Sequence, residues 1–145
     1  MNTRKPGIGE IIEQACKLKG EDMKIAWLRQ NDSQALRDIL HLTFDVRVTW
    51  SLPHGDVPYK PTDQLDQEGM LYRESKKMHY YLDGLMPGLK QLKRETMYIQ
   101  LLEAVAPKDA VLLVSIKDKK LPWRGLKPET ILKAFPGLFV APVTK

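Results

Sequence analysis

Between Ile8 and Phe44 apolar residues return at helical spacing in three short runs, each closed by turn residues. The first run sets Ile8, Ile11, Ile12, Ala15 and Leu18 on one face, and Gly20 ends it. The second, Glu21 to Arg29, carries Met23, Ile25, Ala26, Trp27 and Leu28, which are expected to be mostly buried. Asn31 and Asp32 then break and recap the chain, and Ser33 to Phe44 turns Leu36, Ile39, Leu40 and Leu42 to the core. Short helices with tight connections predict a small antiparallel helical bundle.

Residues 45–65 lose this periodicity. Pro53, Pro58, Pro61 and Gly55 read as a long ordered loop, with a short extended piece at Val46 to Trp50. Arg47 and Lys60 are its cations, and Trp50 and Tyr59 are the rings expected to pin it to the body. Helical spacing then resumes. Asp66 is placed to cap a helix to about Leu82, with Met70, Leu71, Met78, Tyr81 and Leu82 inward and Arg73, Lys76 and Lys77 outward. After Gly84, Pro87 and Gly88, the run Leu89 to Val105 puts Leu92, Ile99, Leu102 and Val105 on one side and Lys90, Lys93, Arg94 and Gln100 on the other.

The stretch from Pro107 to Phe139 joins three unlike pieces. Val111, Leu112, Leu113, Val114 and Ile116 are too apolar for a solvated face, and Pro107 with Asp109 in the first turn favours a helix over a strand. Lys117, Lys119, Lys120 and Arg124 follow within eight residues, broken only by Asp118 and by Leu121, Pro122 and Trp123. Gly125 frees the backbone, and Pro128 with Glu129 opens a last helix that buries Ile131, Leu132 and Phe135 before Pro136 and Gly137 stop it. A basic loop is thus delivered to a helix start, an arrangement that suits a phosphate. The same lysines would also serve as a solvated connection.

The expected architecture is all-α, a single helical domain over residues 1–145, and length and composition agree. Charged residues make up 28% and hydrophobic ones 43%, the balance of a globular chain. No apolar run approaches the ~20 residues that span a bilayer. The N-terminal MNTRKPGIGE lacks a signal-peptide core, so a cytoplasmic location is expected. The net charge of +5 is unevenly spread. Residues 1–85 hold 12 Lys/Arg against 13 Asp/Glu, and residues 86–145 hold 11 against 5, so the excess lies in the C-terminal part. Such asymmetry points to a polyanion or an acidic protein surface.

Catalytic and metal chemistry finds little support. Cys16 is the only cysteine and sits among apolar neighbours, as a structural thiol does. His41, His54 and His79 lack zinc-ligand spacing, so no metal or cofactor is expected. Ser51, His54 and Asp56 are too close in sequence for a hydrolytic triad and lack a nucleophile elbow. Gly7 and Gly9 do not make a phosphate loop, and Asp63, Asp66 and Glu68 read as charges at a helix start.

Two resemblances rest on these pieces. A short helix, the run NDSQALRDILHLTF at Asn31 to Phe44, a loop, long helices, and a basic-to-Gly turn into a helix ending Phe135-Pro136-Gly137-Leu138 resemble the helical N-terminal DNA-binding domain of tailed-phage ATP-dependent DNA ligases. That domain grips duplex DNA around a nick through the backbone. The resemblance implies that Gly125, Leu126, Lys127 and Thr130 meet phosphates, with Lys117, Lys119 and Arg124 flanking them. There is no KxDG lysine motif, so ligase activity is not implied. LPHGDVPYKP, LDQEG and KRETMYIQLLE also look like segments of small tailed-phage proteins, especially of cyanophages, which implies a viral source and the cytoplasm of the infected host.

The expected function is therefore a stand-alone, non-catalytic DNA-binding protein of a phage, acting on duplex or nicked DNA in replication, repair or recombination. Its candidate contacts are Lys117, Lys119, Lys120, Trp123, Arg124, Gly125, Leu126, Lys127, Thr130, Lys133, Arg47 and Lys60. A phage or host replication protein is the further expected partner. The alternative is an interaction or structural protein without nucleic-acid activity, using the same surface or the amphipathic run at Leu89 to Val105.

Overall fold

The apolar stripe that opens the chain becomes the first helix, α1 (Ile8–Lys17), whose start is closed by the Gly7 N–H donating to Glu10 Oε1 at 2.9 Å. Ile8, Ile11, Ile12 and Ala15 are all buried along it. The computed structural model describes residues 5–141, so the first four residues of MNTRKPGIGE lie outside the described residues. Gly20 turns the chain at φ 90° into α2 (Glu21–Gln30). This helix corrects an expectation: only Leu28 is buried in it, and Met23 is 57% exposed. It lies at the surface, and its main packing is on α1 and the last helix. Trp27 is fastened by its Nε1–H to the Ile11 carbonyl at 2.9 Å.

In α3 (Gln34–Phe44) the cap is Ser33, whose Oγ accepts the Leu36 N–H at 3.1 Å. Asp32 instead holds Arg37 through two 2.7 Å contacts. Leu36, Ile39, Leu40 and Leu42 are buried as the spacing predicts. From Asp45 to Gly69 the chain is an ordered loop without a helix. The expected extended piece at 46–50 reduces to one antiparallel bridge, Trp50 with Leu82, because Val46 and Arg47 form a turn. Trp50 is the buried anchor, donating to the Leu42 carbonyl at 3.1 Å, and Tyr59 is half-buried.

The helix expected from Asp66 is shorter and tighter. Asp66 has φ 61°, and the N-cap of α4 (Met70–Glu74) is Gly69. A 3₁₀ helix, Ser75–Tyr81, follows, burying Met78 and Tyr81. The next helix, α5 (Gln91–Ala104), departs from its expected face in its first turns. Leu102 and Val105 are buried as expected, but Leu92 is 78% exposed and Arg94 is buried with Tyr98 and Leu101. The cause is a set of acceptors around Arg94, which donates to Tyr80 O in the 3₁₀ helix, Met86 O in the loop after it and Gln91 Oε1 at 2.9, 3.1 and 2.6 Å. A guanidinium with three acceptors is a satisfied interior group.

Pro107 sits in the first turn of α6 (Pro107–Ile116), the expected core helix. Ala110, Leu112, Leu113 and Ile116 are buried, and α6 touches α1, α3 and α5. The last helix, α7 (Pro128–Ala134), buries Ile131, with Phe135 following it into the core and Leu132 half-buried. The described residues contain these seven α-helices and no strand, a single all-α domain.

Candidate nucleic-acid interface

The basic loop separates into cations that hold the fold and cations that face outward. Lys117 belongs to the first group, with 2% exposure, its Nζ donating to Gly55 O at 2.6 Å and meeting Asp118 Oδ1 at 3.1 Å. Lys119, at φ 65°, turns inward and donates to Leu42 O, Asp45 O and Val48 O at 3.3, 2.6 and 3.1 Å. Burial lowers its ammonium from the ordinary lysine range, against the pull of the Asp45 charge. All three donors of Lys119 are taken and Lys117 is buried, so neither ammonium is presented to a backbone phosphate in this structure. Lys120 and Arg124 are exposed, and their side chains make no hydrogen bond or ion pair with the described residues, although the Lys120 backbone N–H donates to Ser115 O at 3.3 Å.

The turn that follows is seated against α1. Gly125 has φ 115°, and a Cβ there would stand 2.3 Å from the Cys16 carbonyl oxygen, so only glycine fits. Lys24 Nζ binds the Cys16 carbonyl at 3.3 Å and also the Gly125 carbonyl. Half-buried Trp123 accepts the Cys16 Sγ contact through its carbonyl at 3.8 Å. Trp123 therefore fastens its own loop. Leu126 is buried at 8% exposure and is a core residue. Lys127, the N-cap of α7, is exposed.

Beyond the turn, α2 grips α7 at both ends. Thr130, itself buried, donates its hydroxyl to Glu21 Oε2 at 3.0 Å, and Lys133 Nζ meets Glu21 Oε1 at 2.7 Å. These bonds, Lys133 first and Thr130 second, draw the Glu21 carboxyl below its ordinary range. Arg29 donates to Lys133 O and Ala134 O at 2.8 and 3.1 Å, satisfying carbonyls at the far end. The side chains of Thr130 and Lys133, both expected to meet phosphates, are thus bound to a carboxylate of the protein itself.

Two expected loop cations lie elsewhere. Arg47 forks onto buried Asp45 at 2.9 and 2.7 Å and holds that carboxyl far below the carboxylate range. Lys60 is exposed, but its backbone N–H is bound to Glu103 at 2.9 Å, near the C-terminal end of α5. Lys117 closes the opposite end of α6, a helix of ten residues, or roughly 15 Å away along its axis.

What the sequence did not bring forward is the N-terminal contribution. Because Cys16 touches Gly125 and Glu21 touches Thr130, residues 17–20 lie between two points fixed to the 125–130 turn. Lys17 and Lys19 are exposed there. Lys17 has one loose contact, 3.9 Å to Glu13. Exposed Lys17 and Lys19 thus lie within three residues, and exposed Lys120, Arg124 and Lys127 within five residues, of the point where Cys16 meets Gly125. The model of DUF6433, a family of unknown function, matches residues 11–122, most of the chain.

The chain belongs to that family. No curated protein and no solved structure matches it. The DUF6433 match takes in Lys17, Lys19 and Lys120, and ends just before Arg124. In this DUF6433 protein Ser51 faces Asp83 at 3.5 Å and His54 faces Asp118 at 3.4 Å, so Ser51, His54 and Asp56 form no relay. No group of three metal-ligand side chains suited to a metal ion occurs among the described residues. No helix of the described residues is long and apolar enough to cross a membrane.

Proposed function

We propose that this DUF6433 protein is a stand-alone, non-catalytic DNA-binding protein of a phage that grips duplex or nicked DNA through its phosphate backbone, in replication, repair or recombination. The observation that carries this reading is the contact of Cys16 with Gly125, which brings the chain segments bearing exposed Lys17 and Lys19 to those bearing exposed Lys120, Arg124 and Lys127. Apart from the loose contact of Lys17 with Glu13, these cations have no side-chain acceptor among the described residues and so remain available to phosphates, and the turn near them is the part that resembles the ligase DNA-binding module. Contacts of this kind position a duplex without reading bases, and their strength comes from counterion release. The infected host's cytoplasm is the matching location.

The test is fluorescence anisotropy on intact duplex, nicked duplex and single-stranded DNA over a range of salt. Duplex or nicked DNA should bind preferentially, with log affinity falling by about 0.9 per engaged phosphate for each unit of log salt. Lys120→Glu with Arg124→Glu should weaken binding at least tenfold at low salt while leaving Tm unchanged, since neither side chain holds the fold. Binding that is weak, salt-independent and indifferent to this pair removes the proposal. A second reading, a protein-interaction module, draws on Leu92 and Leu85, which are 78% and 57% exposed at the start of α5 and in the loop before it. A stoichiometric protein partner that survives nuclease and high salt would favour it.

A further inference from the structure

Glu21 is held by a donor set that does not require a carboxylate in particular. A buried threonine hydroxyl takes one of its oxygens and an exposed ammonium takes the other. Lys127 adds positive charge from the preceding turn, close enough to act on Glu21 electrostatically. A hydroxyl and two lysines are equally a phosphate seat, since ionised oxygen acceptors of either kind take charge-assisted hydrogen bonds. The seat rests on these side chains and not on the helix end, for α7 has only seven residues.

The occupant is free to leave. Glu21 opens α2 directly after Gly20, its side chain is 43% exposed, and among the described residues its carboxylate is hydrogen-bonded by Thr130 and Lys133 alone. Lys133 is itself 59% exposed, so the pair is reached from solvent without moving the core. The seat also adjoins the basic surface, since Lys127 belongs to both. An acid placed among phosphate-facing cations repels the ligand that those cations attract.

We infer that Lys127, Thr130 and Lys133 form a phosphate-binding seat, and that Glu21 is its resident counter-anion, which an incoming phosphate displaces. This deepens the DNA-binding reading and rests on it for the source of the phosphate. Glu21 then tunes the grip: it keeps the seat ordered when empty and sets the threshold for a phosphate to enter.

Inorganic phosphate tests the seat without DNA. In ¹H–¹⁵N spectra, Glu21→Gln should show saturable shifts of the Lys127, Thr130 and Lys133 amides at phosphate concentrations roughly three- to tenfold lower than the wild type needs. Glu129→Gln is the control, because Glu129 is an exposed acid in the first turn of α7 that makes no hydrogen bond. Equal responses in both variants would reduce Glu21 to a source of field, and no shift at these amides in Glu21→Gln would remove the seat; either overturns the inference. With duplex DNA, Glu21→Gln should steepen the salt dependence by about 0.9, one added phosphate, and Glu129→Gln should not. Phosphate shifts without any DNA binding would retain the seat and refute the DNA reading, whereas DNA binding with an unchanged slope in Glu21→Gln would do the reverse. Tm of both variants confirms that the fold is kept.

Discussion

Asp109 is 1% exposed, and one of its oxygens, Oδ2, is the buried side-chain polar atom without a hydrogen-bond partner among the described residues. The other, Oδ1, accepts the Gly9 N–H at 2.7 Å and ties the start of α6 to the start of α1. Burial first, then the Glu10 and Glu68 charges, push this carboxyl up to about 7 against the pull of the Gly9 N–H. In the unfolded chain it titrates near ~3.9. Between these values the unfolded chain gives up the proton and the folded chain keeps it, so folding is progressively disfavoured as pH rises and levels off above ~7. Asp109→Asn removes that dependence. Relative to wild type it should gain about 2–4 kcal/mol between pH 4 and pH 8, read from urea denaturation at each pH. A difference that does not change with pH would contradict the assignment. The sequence places Asp109 in a helix's first turn, where an acid is ordinary. Its burial depends on Gly9, a hundred residues away, and no local pattern records that. Lys117 and Lys119 show the same limit, since a lysine bound by carbonyls and a lysine waiting for phosphate are identical in sequence.

Helix α5 shows how far periodicity carries an element. Its existence, its ends and the burial of Leu102 and Val105 follow from the spacing, but its first turns do not, because counting Arg94 as polar and Leu92 as apolar turns the wrong side of them inward. The carbonyls of Tyr80, in the 3₁₀ helix, and Met86, in the loop after it, reverse that choice. Helix α7 was legible in type, in extent and in its buried Ile131 and Phe135, because Pro128 and Pro136-Gly137 bound it on both sides. Its seat on α2, through Glu21 and Arg29, was not, since those partners lie more than a hundred residues earlier. The turn that delivers α7 to this seat depends on Gly125. A methyl group there would enter the Cys16 carbonyl, and the positive φ adds strain of its own. Gly125→Ala is therefore expected to cost about 2–4 kcal/mol in denaturant unfolding. The control is Gly84→Ala, which carries the φ strain at 81° but meets no atom within 4 Å. Its cost should be clearly smaller, and equal costs would show that the Cys16 contact adds nothing.

At the scale of the whole molecule, the charge count along the sequence and the charge distribution in space disagree. By sequence the basic excess is C-terminal, and residues 1–85 are slightly acidic. Folding brings the end of α1 against the Gly125 turn, so the chain that carries Lys17 and Lys19 adjoins a turn that the count assigns to the other half. It also withdraws Lys117 and Lys119 into the body and leaves Lys60 near the far end of α5. If DNA is gripped at this end, the sequence position of a lysine matters less than its place on the fold. Lys17→Glu with Lys19→Glu should then weaken duplex binding about as much as Lys120→Glu with Arg124→Glu, and Lys60→Glu should leave it within roughly twofold. Each pair that meets separate phosphates should lower the salt slope by about 0.9 per lost contact, so combining the pairs should add their effects on log affinity. Anisotropy titrations of the three variants at several salt concentrations decide this. Equal weakening by all three would mean that net charge, not a localised surface, attracts the DNA. Weakening by the C-terminal pair alone would confine the grip to the 117–133 segment and exclude α1 from it.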